Sequence, residues 1–213
     1  LMQINILAGG PKTLWPDNLF ETSGDWIGAD RGAWWLYQHG IPMQMAVGDF
    51  DSLTPSEYQE LTTHLSAHKI VRVKAEKDET DTELALLYAQ KKRPDHITVF
   101  GATGGRIDHL LSNLWLMANP VFKDIVDRVT FVDRVNHIAY ALPGNVTVHR
   151  QPAIKYLGFM PLNQVENFHI IDAKYPLRLT SNIAKMWSSN EFLEDTVHIS
   201  FDTGIIMITQ TKD

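Results

Sequence analysis

The 213-residue chain fits one large domain or two small ones, and its 44% hydrophobic and 21% charged residues allow an ordinary globular core. A formal net charge of −6 and a pI near 5.8 leave no basic footprint for nucleic acid or an anionic membrane. With no cysteine, disulfides, thiolate chemistry and Cys-ligated zinc are excluded, and none of the 9 histidines forms an H-E-x-x-H pair. No apolar run reaches bilayer length and no signal peptide is expected, so a cytoplasmic protein is expected. Leu1, ahead of Met2, is set aside as extraneous.

Gln3–Ala8 reads as a strand ending in Gly9–Gly10, where backbone can turn sharply or approach a ligand. Asp25–Ala29 is a second strand running into Asp30-Arg31-Gly32, and Ala33–His39 is helical, closed by Gly40 and Pro42. Met43–Val47 is the next strand and delivers Asp49 and Asp51 at its end. Thr54-Pro55-Ser56-Glu57 is a capping box that opens a helix to about Ala67. Ile70–Lys74 is a strand, followed by a charged loop at Ala75–Glu79. Thr80-Asp81-Thr82-Glu83 opens another helix, with Leu84, Leu87 and Tyr88 on one face. His96–Phe100 is a strand leading through Gly101-Ala102-Thr103-Gly104-Gly105-Arg106 into a helix from Ile107 to Ala118, and Val129–Val132 is one more strand. Strands alternating with helices predict an α/β unit with a mostly parallel, doubly wound sheet over residues 1–135.

From about Asn136 the helical period vanishes. Runs at His137–Leu142, Val146–Arg150, Ile154–Met160, Val165–Asp172, Thr196–Phe201 and Ile205–Thr211 predict an all-β unit over 136–213, a sandwich or small barrel of roughly six strands. Pro143-Gly144-Asn145 is a turn, and Asp202-Thr203-Gly204 reads as the last hairpin turn.

Asp49 and Asp51 in Val47-Gly48-Asp49-Phe50-Asp51-Ser52 would face one side of an extended segment. Two neighbouring carboxylates raise each other's pKa unless a cation sits between them, and Mg²⁺ suits such hard oxygen ligands. The same residues also make an ordinary solvated turn. Gly101–Gly105 is a strand-to-helix loop of the kind that offers N–H groups to a phosphate, and Arg106 adds a permanently charged planar donor. Individually, Arg106 could be a surface ion pair, Asp108 and Asp81 helix-start charges, His109 a half-buried imidazole and Asp30 a turn residue. Together, carboxylates, glycine loop and arginine at the strand carboxyl ends suit metal-assisted phosphoryl chemistry.

Ala29-Asp30-Arg31-Gly32-Ala33, Gly48-Asp49-Phe50-Asp51-Ser52, Asp78-Glu79-Thr80-Asp81 and Gly104-Gly105-Arg106-Ile107-Asp108-His109 resemble, in order and spacing, the thiamine pyrophosphokinase family. Lys174-Tyr175-Pro176-Leu177 and Ser189-Asn190-Glu191 extend the resemblance into the β part. It implies an α/β nucleotide domain followed by a β-sandwich that binds thiamine and dimerises. The implied reaction is Mg²⁺-dependent transfer of pyrophosphate from ATP to the thiamine hydroxyl. It implies Asp49, Asp51 and Asp81 as metal ligands, and Asp30, Asp51, Asp81, Arg106 and Asp108 as catalytic groups. Gly104, Gly105, Arg106, His109, Asp78 and Thr80 would hold nucleotide phosphates, and Ser188, Ser189 and Asn190 thiamine. Arg31 stands where many relatives carry glycine, Ala173 departs from a frequent Gly-Leu, and Met186–Trp187 matches no pattern; Trp187 suits either cation–π recognition of the thiazolium or interface packing. A Mg²⁺-dependent nucleotide hydrolase and a non-catalytic thiamine or nucleotide sensor are the alternatives.

Overall fold

The computed structural model describes residues 1–74, 78–181 and 185–213. Two compact units emerge, one of residues 1–116 and 131–134, the other of residues 117–130 and 135–213. Of the charged loop expected at Ala75–Glu79, Ala75–Lys77 lie outside the described residues.

The first unit alternates strands and helices: β1 (Gln3–Leu7), β2 (Asp25–Ala29), α1 (Arg31–Gln38), β3 (Met43–Gly48), α2 (Pro55–His64), β4 (Ile70–Arg72), α3 (Asp81–Lys91), β5 (His96–Phe100) and α4 (Ile107–Trp115). It also holds the last two residues of β6 (Val129–Val132). The strands run in the order β5-β1-β2-β3-β4, each paired in parallel with its neighbour. Four of the five residues in β1 and in β2 are buried, the near-continuous apolar run of a strand covered on both faces. The order reverses between β1 and β5, so the crevice outside their carboxyl ends is the topological switch point.

Trp34, Trp35 and Leu36 of α1 are buried, and Trp35 meets Trp15 edge-on at 4.9 Å between ring centroids. The capping box of α2 is present: the Glu57 N–H donates to Thr54 Oγ1 and the Thr54 N–H to Glu57 Oε2 at 2.7 Å. That helix ends at His64 and a 3₁₀ turn takes over at Ala67–Lys69. α4 likewise gives way to a 3₁₀ turn at Leu116–Ala118. In α3 the buried side chains are Thr82, Ala85, Leu86 and Ala89, while Leu84, Leu87 and Tyr88 are only partly covered. Two alanines on the inner face let this helix lie close to the sheet, which an apolar count weighted by size does not register.

The second unit carries β7 (Asn136–Ala141), β8 (Gly144–His149), β9 (Tyr156–Pro161), β10 (His169–Ile170), β11 (Leu177–Arg178), β12 (Trp187–Asn190), β13 (Thr196–Phe201) and β14 (Ile206–Thr211). Two antiparallel arrays, β12-β9-β14-β7 and β11-β10-β13-β8, share a core of Phe159, Phe168, Ile199, Phe201 and Ile206, which makes the unit a β-sandwich. Eight strands replace the six expected among the described residues. Asp202-Thr203-Gly204 is not a hairpin turn: β13 pairs with β8 and β10, β14 with β7 and β9, so this turn carries the chain between arrays. Pro143 does the same between β7 and β8. The run at Val165–Asp172 contributes only two strand residues, because Asn167 at φ 53° breaks its extension.

Candidate active site

A cavity of about 610 Å³ opens at the switch point of the first unit. Its walls are Ala8–Pro11 after β1, Asp30 after β2, Asp49, Asp51 and Ser52 after β3, Thr80–Thr82 at the start of α3, and Gly101–Arg106 with His109 and Asn113 after β5. Each segment follows a strand or opens a helix, so the topology delivers them to one place. Of the residues expected there, Asp30, Asp49, Asp51, Thr80, Asp81, Gly104, Gly105, Arg106 and His109 line the cavity. Asp78 is exposed and Asp108 faces Arg106; neither is among the lining residues.

Asp30, Asp49 and Asp51 each place an oxygen within 4.8 Å of the others. The close triad therefore holds Asp30 where the expected metal set had Asp81, and Asp81 lines the same cavity outside that triad. Simple strand alternation does not bring Asp49 and Asp51 together. The strand ends at Gly48, Phe50 sits at φ 61° with its ring buried beside Tyr58, and the Asp51 N–H donates to Asp49 Oδ1 at 3.0 Å. A buried aromatic thus pins a left-handed turn that presents both carboxylates. Asp30 is itself at φ 51°. Its Oδ2 accepts from the Ser52 hydroxyl, whereas its Oδ1 is buried with no hydrogen-bond partner among the described residues.

Burial raises the Asp30 carboxyl above the usual range; the Ser52 hydroxyl and the Arg31 N–H oppose this, and Asp81 and Asp49 add to it. A buried acceptor left without a donor amid like charges fits a hard divalent cation, which would satisfy the oxygen and offset the repulsion. Arg31, the departure from glycine, does not line this cavity. It pairs with Glu57 at 3.2 Å and donates to the Ser52 carbonyl, tying the aspartate turn to the cap of α2.

The glycine loop has Gly101, Gly104 and Gly105 at φ 66°, 77° and 71°. At Gly104 a Cβ would also lie 2.3 Å from Leu14 Cδ1, so the tip of that side chain would have to shift as well. The Gly10 N–H donates to the Gly101 carbonyl at 2.6 Å, interlocking the loops after β1 and β5. Arg106 forms a two-point pair with Asp108, at 2.5 Å and 3.1 Å. This pair holds the Asp108 carboxyl below its ordinary value and sets the guanidinium plane at the cavity rim.

The sequence model of the thiamin pyrophosphokinase catalytic domain matches residues 16–127, and that of the vitamin B1 binding domain residues 145–206. The chain belongs to the thiamin pyrophosphokinase family. It is 36% identical to the thiamine pyrophosphokinase of Bacillus subtilis (strain 168), over 99% of each chain. The structure of a thiamin pyrophosphokinase family protein from Enterococcus faecalis superposes with a TM-score of 0.91 at 39% identity, over 99% of both chains. That of thiamin pyrophosphokinase from Geobacillus thermodenitrificans gives 0.85 at 34% identity, over 100% of this chain and 98% of the other.

The segment matching the family's vitamin-binding model holds a second cleft of about 310 Å³, bounded by Ile170, Tyr175–Leu177, Lys185–Ser188 and Asn190. Ser188 lines it, Ser189 does not, and Asn190 is buried. The Asn190 amide accepts from the Tyr175 N–H at 3.0 Å and donates to the Tyr175 carbonyl at 2.9 Å, so its polar atoms fasten the Lys174–Leu177 segment. Trp187 packs edge-on against Phe168 at 5.7 Å while bordering the cleft, with the Lys185 ammonium 5.9 Å from its ring. Ser52, Thr103 and Asn113 also line the cavity of the first unit, beyond the residues expected from sequence. Asn113 carried a signal: it is the polar side chain on the inward face of α4, and it donates to the Ala102 carbonyl at 2.9 Å.

Proposed function

We propose that this chain transfers the terminal pyrophosphoryl group of ATP to the hydroxyl of thiamine, giving thiamine diphosphate and AMP. The observation that carries the reading is the convergence of Asp30, Asp49 and Asp51 within 4.8 Å beside a glycine loop, in a chain of this family. Asp30, Asp49 and Asp51, with Asp81, would hold Mg²⁺ on the triphosphate. Bound there, the ion neutralises phosphate charge and polarises the phosphorus under attack.

The chain's own groups do the rest by positioning. The N–H groups of Gly104 and Gly105, with Thr80 and His109 close by, receive phosphate oxygens, and Arg106 lies at the rim to balance charge that builds on the leaving AMP oxygen. Asp108 fixes the Arg106 plane. The thiamine oxygen forms its bond to the β-phosphorus as the bond from that phosphorus to the α,β-bridging oxygen breaks, and the hydroxyl proton leaves with solvent or a nearby carboxylate. Thiamine is assigned to the cleft of the β unit, with Ser188 as a direct contact, Asn190 shaping the wall and Ser189 setting the strand bend at φ 60°. Asp78 would act from outside the cavity lining.

A homodimer is part of the proposal. In the β unit, expected to dimerise, Ile171, Tyr175 and Leu193 are 55%, 55% and 64% exposed, apolar surface suited to a second copy. Cytoplasmic location is proposed too; among the described residues no helix is long and apolar enough to cross a membrane. The test is chromatography of nucleotides after incubation with Mg²⁺-ATP, with and without thiamine. AMP release that requires thiamine supports the assignment. AMP or ADP released without thiamine indicates a hydrolase, and thiamine binding without turnover a sensor.

A further inference from the structure

Asp133 and Arg134, just after β6, belong to no motif of the cavity, yet Asp133 grips one of its walls and Arg134 the segment packed behind it. The Thr103 hydroxyl donates to Asp133 Oδ2 at 2.5 Å, with Thr103 5% and Asp133 7% exposed. Thr103 is the central side chain of the glycine loop and lines the cavity. The next residue holds the segment behind: the Arg134 N–H donates to the Leu14 carbonyl at 2.8 Å, Arg134 Nε to the Trp15 carbonyl at 3.3 Å and Nη2 to Asp17 at 2.7 Å. Leu14 is the side chain that Gly104 must clear.

A loop with three glycines at positive φ has many conformations to lose, and its N–H groups converge on a phosphate in few of them. A charge-assisted O–H···O⁻ bond shielded from water is the strong kind of tie that selects one of them. We propose that Asp133 is a positioning residue for the pyrophosphoryl donor, fixing through the Thr103 hydroxyl the conformation in which Gly101–Gly105 receives phosphate. The inference rests on the assignment of that loop to the phosphates of ATP.

The test compares Thr103→Val, Thr103→Ser and Asp133→Asn with the unaltered chain. Calorimetry measures binding of a non-hydrolysable ATP analogue with Mg²⁺, and steady-state kinetics give KM for ATP and for thiamine. Thr103→Val is expected to weaken analogue binding and raise KM for ATP by roughly ten-fold or more, the scale of one charge-assisted hydrogen bond. KM for thiamine stays within about two-fold, and Thr103→Ser, which restores the hydroxyl, returns both nucleotide constants. Asp133→Asn falls between, since an amide oxygen still accepts but carries no charge. Should Thr103→Val fail to fold, Asp133→Asn carries the same comparison. Unaltered nucleotide constants in a folded variant overturn the inference, as does an equal loss for ATP and thiamine, or failure of serine to rescue. If the unaltered chain binds the analogue but makes no AMP with thiamine, the reaction assignment fails while the calorimetric comparison still decides the role of Asp133. If it binds no analogue, both fail.

Discussion

Replacing Asp30 with Asn should stabilise the metal-free fold at neutral pH while removing activity. Burial costs the Asp30 charge most, and the neighbouring Asp81 and Asp49 carboxylates add repulsion. At an effective dielectric near that of a protein surface, one such pair is worth about 3 kcal/mol. Asp51 is exposed and screened, so about 1–2 kcal/mol of net relief is expected. At roughly 2–4 °C per kcal/mol for a chain of this size, the first unit should melt about 2–8 °C higher. Asn keeps an acceptor for the Ser52 hydroxyl and tolerates the left-handed backbone, so neither change offsets the gain. The pH dependence has a definite sign. The folded Asp30 carboxyl titrates above its ordinary value of 3.8. Below that value both folded and unfolded chains are protonated and nothing is lost; as pH rises through the folded value the full cost appears. The Asn variant should therefore gain at pH 7 and show no gain below about pH 4. Thermal unfolding at the two pH values, with and without Mg²⁺, is the assay. Mg²⁺ should raise the melting temperature of the unaltered chain more than that of the variant. A variant less stable than its parent at pH 7 without metal would refute the electrostatic reasoning.

Asp51→Asn should leave melting within about 2 °C, because the side chain is exposed, yet lower kcat by roughly 10²–10³-fold, as loss of a charge-stabilising group does; unchanged turnover would remove Asp51 from the metal set. Gly104→Ala places a side chain at φ 77° and obliges the tip of Leu14 to move, so a loss of about 1–2 kcal/mol by denaturant titration and a raised KM for ATP are expected. Asn190→Ala strands the N–H and carbonyl of Tyr175 and should destabilise the β unit by about 2–3 kcal/mol, with KM for thiamine rising in parallel. The His198 N–H and ring hold Asp172 below the ordinary carboxylate value of 3.8, a stabilisation present above that pH and lost as pH falls through the folded value. Asp172→Asn should cost under about 1 kcal/mol at pH 7, the pair being exposed, and the cost should vanish in melting curves once pH falls below the folded value.

The parallel sheet was legible because its strands are buried on both faces and its helices begin with overt caps at Thr54 and Thr80. The site was legible because aspartates and glycines stand where strands end, and topology carries strand ends to one edge. Side-chain pattern alone reveals neither left-handed backbone nor pairing partners. Phe50 reads as an ordinary apolar residue, yet its positive φ is what brings Asp49 and Asp51 together. Asn167 and Ser189, also at positive φ, hid the ends and bends of strands in the β unit. Asp202-Thr203-Gly204 has hairpin chemistry but crosses between arrays, because pairing is settled by the shared apolar core. Asp133 lies 30 residues from Thr103, a partnership no local pattern announces.

In the proposed reaction the β- and γ-phosphates of ATP move together to thiamine at the aspartate and glycine-loop cavity. Following ATP labelled at either the α- or the γ-phosphorus through one incubation with thiamine and Mg²⁺ tests it most directly. The γ-label should appear in thiamine diphosphate and the α-label only in AMP, with neither transfer when Mg²⁺ is chelated. Label from the γ-position recovered as free phosphate, or as thiamine monophosphate beside ADP, would contradict it.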